Sequence, residues 1–552
     1  MIDAEITKLM QQGKHYLNSS DVANAKKCYL AVLQEKPTEF EANYSLGLIA
    51  NHEQQVNDAC EYFKKALSIQ PLNKNCVVNL ANLYNQLERY PEAITVFQEY
   101  LQLNSSKADV YYFYACVLLK VNEIDRAVDA LQRSITLNPS ELMPYMTLGE
   151  ILYRSMQFRA AQQIYKNAFD RGLKSEGLYQ NLAKLHTDHG ELEQAKEILI
   201  RAVEDFPESL SFPYRLSSID PESLTPALYE KLICQEGNET SAENLFYRYW
   251  LLALYAKQNG QRNAEMDLLI KAHALHVQHN TFSENADFYL KRLPSLELPL
   301  TAPITAQRDA ESEKNPPETD KPIFIVGVPR CGSTLIENII CSGPERVLKG
   351  EEPSVILQGI SKCIDSDSQS FWSKFQDNVK ANYHKCKLLE EGVRFTDKSL
   401  ENIFLIDFIM SLYPKAKIIY CDRTPLASII SIMQNNMVLL PWAHELDKIF
   451  EYVDNCLIAI DKWHDKYPDN IYTIKYEQLV TNQVEESKKL MAFCELPWDE
   501  SCLAFHQKEG LVSRTASHMQ IRNEINQNAV STYQQYKSYF EGYEGKYPWM
   551  KQ

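Results

Sequence analysis

A chain of 552 residues is too long for one hydrophobic core, which stops growing near roughly 250 to 300 residues, so two or more domains are expected. Hydrophobic residues at 45% and charged residues at 24% are ordinary for a folded soluble protein and exclude wholesale disorder. The formal net charge of -16, without a Lys/Arg run to concentrate positive charge, argues against a nucleic-acid partner because the surface repels polyanions.

Thirteen cysteines lie at irregular spacings with no C-x-x-C pair, which reads as reduced thiols rather than a metal or redox motif. The opening MIDAEITKLMQQGKHYL is acidic and lacks the apolar core of a secretory signal, and no window is apolar enough to span a membrane. A cytoplasmic location is expected.

From the start to about position 210 the same residue classes recur at a 34-residue interval. One column is small (Gly13, Gly47, Ala81, Ala115, Gly149, Ala183) and a second is alanine throughout (Ala25, Ala59, Ala93, Ala127, Ala161, Ala195). A third is bulky (Tyr29, Phe63, Phe97, Leu131, Tyr165, Leu199), and prolines at 37, 71, 139 and 207 close the second helix of four of the six units. Small residues let two helices approach, and the bulky column is expected to fill the groove between repeats. The pattern resembles six tetratricopeptide repeats over 1–210. That resemblance implies an α-solenoid whose concave face binds a peptide or protein, either the acceptor or a partner.

Residues 211–300 are expected to form further helices capping the solenoid, with a helix pair near Leu245 to Ala274. Residues 301–321 (TAPITAQRDAESEKNPPETDK) are polar and proline-bearing, as in a linker. Over 322–552 the pattern changes to short β-branched runs alternating with helical stretches. Strands are predicted at Ile323 to Val328, Ala416 to Cys421 and Ile471 to Tyr476, each followed by a helix. Buried runs alternating with helices predict a mainly parallel sheet covered on both faces, giving an α-solenoid followed by a P-loop-like α/β domain.

The first strand runs into Gly327, Val328, Pro329, Arg330, Cys331, Gly332, Ser333, Thr334. A glycine-bearing turn at a helix N-terminus presents unpaired N–H groups to an anion. The G-x-x-x-x-G-S-T spacing matches a phosphate loop, but serine stands where nucleoside triphosphatases carry lysine, which argues against a nucleotide kinase or ATPase. An arginine, two hydroxyls and several N–H groups suit a tetrahedral anion transferred without metal.

Pro329 to Thr334 resembles the P-R-[ST]-G-[ST]-[ST] motif of sulfotransferases that use 3′-phosphoadenosine 5′-phosphosulfate (PAPS), with Cys331 at a hydroxyl position. The substitution removes one hydroxyl donor, and the Cys331 backbone N–H is expected to remain. Three further segments resemble the same family. Y-C-D-R-T-P-L-A-S-I-I-S has Arg423 at a strand end and Ser431 eight residues on, as in the family's 3′-phosphate clamp. R-F-T-D-K places Lys398 where tyrosylprotein sulfotransferases carry a lysine that neutralises the bridging oxygen, 25 residues before Arg423. In I-K-Y-E-Q-L-V the resemblance implies that Tyr476 packs on adenine. It also implies a C-terminal phosphate-gripping loop over Val512 to Arg522, with Ser517 and Arg522 as candidates.

Transfer to a hydroxyl needs a base. Gly350 to Ser354, G-E-E-P-S, resembles a segment of the tyrosylprotein sulfotransferases whose first glutamate acts as base, which implies Glu351 with Glu352 as the neighbouring alternative. Histidine bases, as in cytosolic sulfotransferases, would have to be His506 or His518. The joined patterns resemble tetratricopeptide-repeat sulfotransferases with a catalytic half similar to tyrosylprotein sulfotransferases. PAPS is the implied co-substrate, no metal is required, and the acceptor stays open among peptide tyrosine, glycan and small alcohol. The other reading is a repeat scaffold with a non-catalytic nucleotide-binding domain, which would predict a broken Arg330, Lys398, Arg423 set.

Overall fold

The computed structural model describes residues 2–234, 241–279, 286–297, 321–363, 368–507 and 532–551. Contacts divide the chain into two compact units, Met1–Leu182 and Ala183–Gln552.

The first unit is a run of antiparallel helix pairs: Ile2–Asn18 with Val22–Glu35, Phe40–His52 with Val56–Ile69, Lys74–Gln86 with Tyr90–Leu103, Ala108–Lys120 with Ile124–Leu137, and Leu142–Arg154 with Phe158–Asp170. The small and bulky columns meet inside a repeat rather than between repeats. A Cβ added at Gly47 would lie 2.8 Å from the Phe63 ring, and one at Gly149 would lie 2.4 Å from the Tyr165 ring. The aromatic therefore fills the space beneath the first helix of its own pair. Each proline of the fourth column follows a helix C-cap, as at Lys36, Gln70 and Asn138. One column was silent in the sequence: Ser20, Gln54, Glu88, Asn122 and Met156 all have positive φ and turn the chain between the two helices of a pair.

The second unit contains an α/β domain with a five-stranded sheet in the order β2-β3-β1-β4-β5. The strands are β1 (Ile323–Gly327), β2 (Val347–Leu348), β3 (Arg394–Asp397), β4 (Lys417–Asp422) and β5 (Ile471–Lys475), and every pairing is parallel. β1 is fully buried because alternate residues enter different cores. Phe324 and Val326 join a cluster with Ile418 and Tyr420, while Ile323 and Ile325 join one with Ile419 and Cys421. The first cluster also takes in Trp250, Met266, Leu269 and Ala272, from the helices Ala242–Gln258 and Arg262–His279. That helix pair thus shares a core with the sheet. Among the described residues, no helix is long and apolar enough to cross a membrane.

Candidate functional site

The chain leaves β1 at Gly327, which pairs in register with Cys421 of β4. Arg330 (φ 72°) and Gly332 (φ 99°) adopt left-handed backbone conformations, and the helix Ser333–Ser342 begins immediately. Gly332 is required twice over. Its φ suits glycine, and a Cβ there would come within 2.4 Å of the Tyr476 ring. The first N–H groups of this helix have no acceptor within it, the arrangement that suits a helix N-terminus to an anion.

Cys331 departs from expectation. Its N–H donates to Val328 O at 3.0 Å, so that donor is used within the loop. Its thiol is buried, and Cys421 Sγ donates to the Cys331 carbonyl at 2.7 Å. Packing against β4 turns the side chain inward, so it does not replace the missing hydroxyl.

Two arginines converge beside the loop. Arg330 Nε donates to Ser431 Oγ at 3.1 Å, and Arg423 Nη1 donates to the Arg330 carbonyl at 2.6 Å. Arg423 also lies over the Tyr476 ring, 4.7 Å from its centroid. Burial, and then the neighbouring positive charge of Arg423, pull the Arg330 pKa down to about 10. Glu477 accepts from Thr424 N and Oγ1 at 3.0 and 2.9 Å, which fixes the end of β4 to the segment bearing Tyr476.

On the other side of β1, the end of β3 presents Lys398. Its side chain is fully buried, and Nζ pairs with Glu352 Oε1 at 2.6 Å. Burial works against its charge, but the carboxylates of Glu352 and Glu337 outweigh it and its pKa is raised. The preceding Asp397 is held by Tyr383 OH at 2.7 Å, Ser399 N at 2.9 Å and Asn402 Nδ2 at 3.2 Å. These bonds aim the strand end.

Glu351 is 5% exposed and has φ 55°. Its carbonyl accepts from Lys398 N at 2.8 Å and its N–H donates to Glu337 Oε1 at 2.9 Å. Lys349 Nζ lies 3.8 Å from its carboxylate. Glu337, on the helix after the loop, is fully buried and also accepts from Thr396 Oγ1 at 2.8 Å, while Gly350 N donates to that hydroxyl at 3.1 Å. Burial pushes the Glu337 carboxyl up. One buried carboxyl therefore ties the loop helix, β3 and the G-E-E turn together.

The fold brings Arg330, Gly332, Ser333, Thr334, Glu351, Lys398, Arg423, Ser431 and Tyr476 to the carboxyl edge of the sheet. Ser517, Arg522 and His518 lie outside the described residues. His506 sits in the short turn Phe505–Gln507, beside the Phe505 ring. Sequence reasoning missed Glu337, Thr396 and the Lys398–Glu352 pairing. A charged residue in the largely apolar helix run L-I-E-N-I-I was the available signal for Glu337.

Residues 322–500 match the sulfotransferase family, and residues 10–74 and 78–141 match the tetratricopeptide repeat. An uncharacterized protein of Aquifex aeolicus is 25% identical over 72% of this chain and 53% of its own length. A protein-tyrosine sulfotransferase of Drosophila melanogaster is 26% identical over 34% of this chain and 40% of its own length. Protein-tyrosine sulfotransferase A of Caenorhabditis elegans is 24% identical over 34% of this chain and 53% of its own. The chain thus spans about half or less of the length of these relatives. It joins tetratricopeptide repeats to a domain of the sulfotransferase family.

Proposed function

We propose that this protein transfers a sulfuryl group from PAPS to an acceptor hydroxyl, with a protein tyrosine as the preferred acceptor. The observation that carries the reading is the grouping of Arg330, Lys398 and Arg423 around one helix-starting loop, with Glu351 adjoining. Cations and helix N–H groups there match the charge of a phosphosulfate and its 3′-phosphate. Glu351 takes the acceptor proton, and the acceptor oxygen forms a new S–O bond as the bond from sulfur to the phosphate oxygen breaks. Lys398, kept charged by Glu352, faces the departing oxygen, and 3′,5′-ADP leaves. Arg423, Ser431, Ser517 and Arg522 are assigned to the 3′-phosphate, Ser333 and Thr334 to the 5′-phosphosulfate, and Tyr476 to the adenine. The repeats hold the acceptor or a partner protein.

Calorimetric titration with 3′,5′-ADP tests the nucleotide assignment. Binding that weakens on Arg423→Ala is expected, and no binding by the intact chain would overturn it. With labelled PAPS and a tyrosine peptide, Glu351→Gln is expected to lose transfer while keeping 3′,5′-ADP binding. Unchanged transfer would remove Glu351 as the base.

A further inference from the structure

One cation outside the matched residues 322–500 lies against the end of the helix that carries Ser431. Lys257, near the end of the helix Ala242–Gln258, is partly buried and donates from Nζ to Gln434 Oε1 at 3.0 Å. Gln434 caps the helix Pro425–Met433, which carries Ser431, the partner of Arg330.

The Gln434 amide is held in one orientation. Its Nε2 donates to Glu265 Oε1 at 2.7 Å and contacts Tyr536 OH at 3.0 Å. Glu265 is itself buried and committed: Oε2 accepts from Tyr536 OH at 2.7 Å and from Arg262 Nη1 at 3.3 Å. The amide oxygen must therefore face Lys257. Among the described residues the Lys257 ammonium makes no ion pair, and its hydrogen-bond acceptor is a neutral amide. Burial pulls its pKa down, Glu265 opposes this, and Arg262 and Arg330 add to the pull. Lys257 is thus held at the end of the helix that carries Ser431, the partner of Arg330. An ammonium has three donors and is costly to bury without an anion.

We propose that Lys257 is a further ligand of the nucleotide 3′-phosphate, beside Arg423 and the Arg330–Ser431 pair. The inference rests on the PAPS reading above. The strand order explains the choice of phosphate: β1 separates Lys398, after β3, from Arg423 and Ser431, after β4, and Lys257 joins the β4 side. The helical segment before the α/β domain would then complete its nucleotide site. It would discriminate a 3′-phosphorylated nucleotide from its unphosphorylated counterpart.

The test is titration of the full chain, Lys257→Met and Lys257→Arg with 3′,5′-ADP and with 5′-AMP. The intact chain should bind 3′,5′-ADP more tightly. Lys257→Met should lose about 10- to 100-fold toward 3′,5′-ADP and little toward 5′-AMP, as for one charge-assisted contact to phosphate, and Lys257→Arg should restore part of the difference. If Lys257→Met keeps the ratio of the two affinities, or weakens both equally, the inference fails while the PAPS reading stands. If the intact chain does not prefer 3′,5′-ADP, both fail.

Discussion

Arg330 and Ser431 are joined by a 3.1 Å hydrogen bond across 101 positions of sequence, tying the loop after β1 to the helix after β4. Ser431 is two turns into its helix and Arg330 sits at a left-handed turn, so each restrains the position of the other. Prepositioned donors lose less freedom on binding, which gives this contact a larger effect on affinity than on folding.

Ser431→Ala should weaken 3′,5′-ADP binding by about 10-fold, the loss of one hydroxyl contact plus a less ordered Arg330, with a melting temperature close to that of the intact chain. Titration calorimetry with a parallel thermal melt checks both halves.

Gly332→Ala should cost about 1–3 kcal/mol in urea unfolding of the α/β domain and weaken nucleotide binding. The φ of 99° disfavours a side chain, and the added Cβ would meet the Tyr476 ring at 2.4 Å. Pairing it with Tyr476→Ala should recover part of the stability but not the binding.

Thr396→Val keeps shape and removes a hydroxyl that donates to Glu337 and accepts from Gly350 N–H. A stability loss of about 1–3 kcal/mol is expected, because the buried Glu337 carboxyl loses a donor and the half-buried Gly350 N–H loses its acceptor. Under the sulfotransferase reading, transfer should fall further than 3′,5′-ADP affinity, since the damage lies at the turn holding Glu351. Comparing single-turnover rates with titrations separates the two effects.

Acidification should destabilise the second unit through His273. This side chain is buried, its Nε2 lies 2.9 Å from Met433 O and its Nδ1 lies 2.9 Å from His444 Nδ1. One ring must donate across the Nδ1 pair, which leaves the other nitrogen to accept, so the pair suits two neutral rings. Burial lowers the His273 pKa from 6.5 to about 4. The unfolded chain binds the proton first, so its stabilising contribution is present above pH 6.5 and is lost as pH falls toward 4, by up to about 3 kcal/mol. The buried carboxyls Glu337 and Asp397 have raised pKa values and act with the opposite sign. The comparison is therefore between the intact chain and His273→Gln: between pH 7 and pH 5, the variant's unfolding free energy should change less.

In the repeats, Met156→Gly should be neutral or stabilising by up to about 1 kcal/mol, and Met156→Val destabilising by about 1–2 kcal/mol, because position 156 has φ 61°. Thermal melts of the full chain read the shift, and equal effects of glycine and valine would show that this turn stores no strain.

The repeats, the parallel α/β domain and the glycine-bearing loop after β1 were legible in the sequence because each is a short-range pattern. Helix pairing follows a fixed interval of small and bulky residues, buried strands read as apolar runs, and Gly332 with Ser333 and Thr334 announces a turn into a helix. Repeat-internal packing of Gly149 on Tyr165, the inward turn of Cys331 and the ion pair of Lys398 with Glu352 were not legible. Nor were the three-way role of Glu337 and the link from Lys257 through Gln434 to the helix of Ser431. These depend on which helices and strands lie side by side. The order β2-β3-β1-β4-β5 brings together residues far apart in the chain, and burial then forces each polar group among them to find the one partner within reach. Local periodicity carries the elements, whereas the pairing of buried charges exists only once the sheet has closed around them.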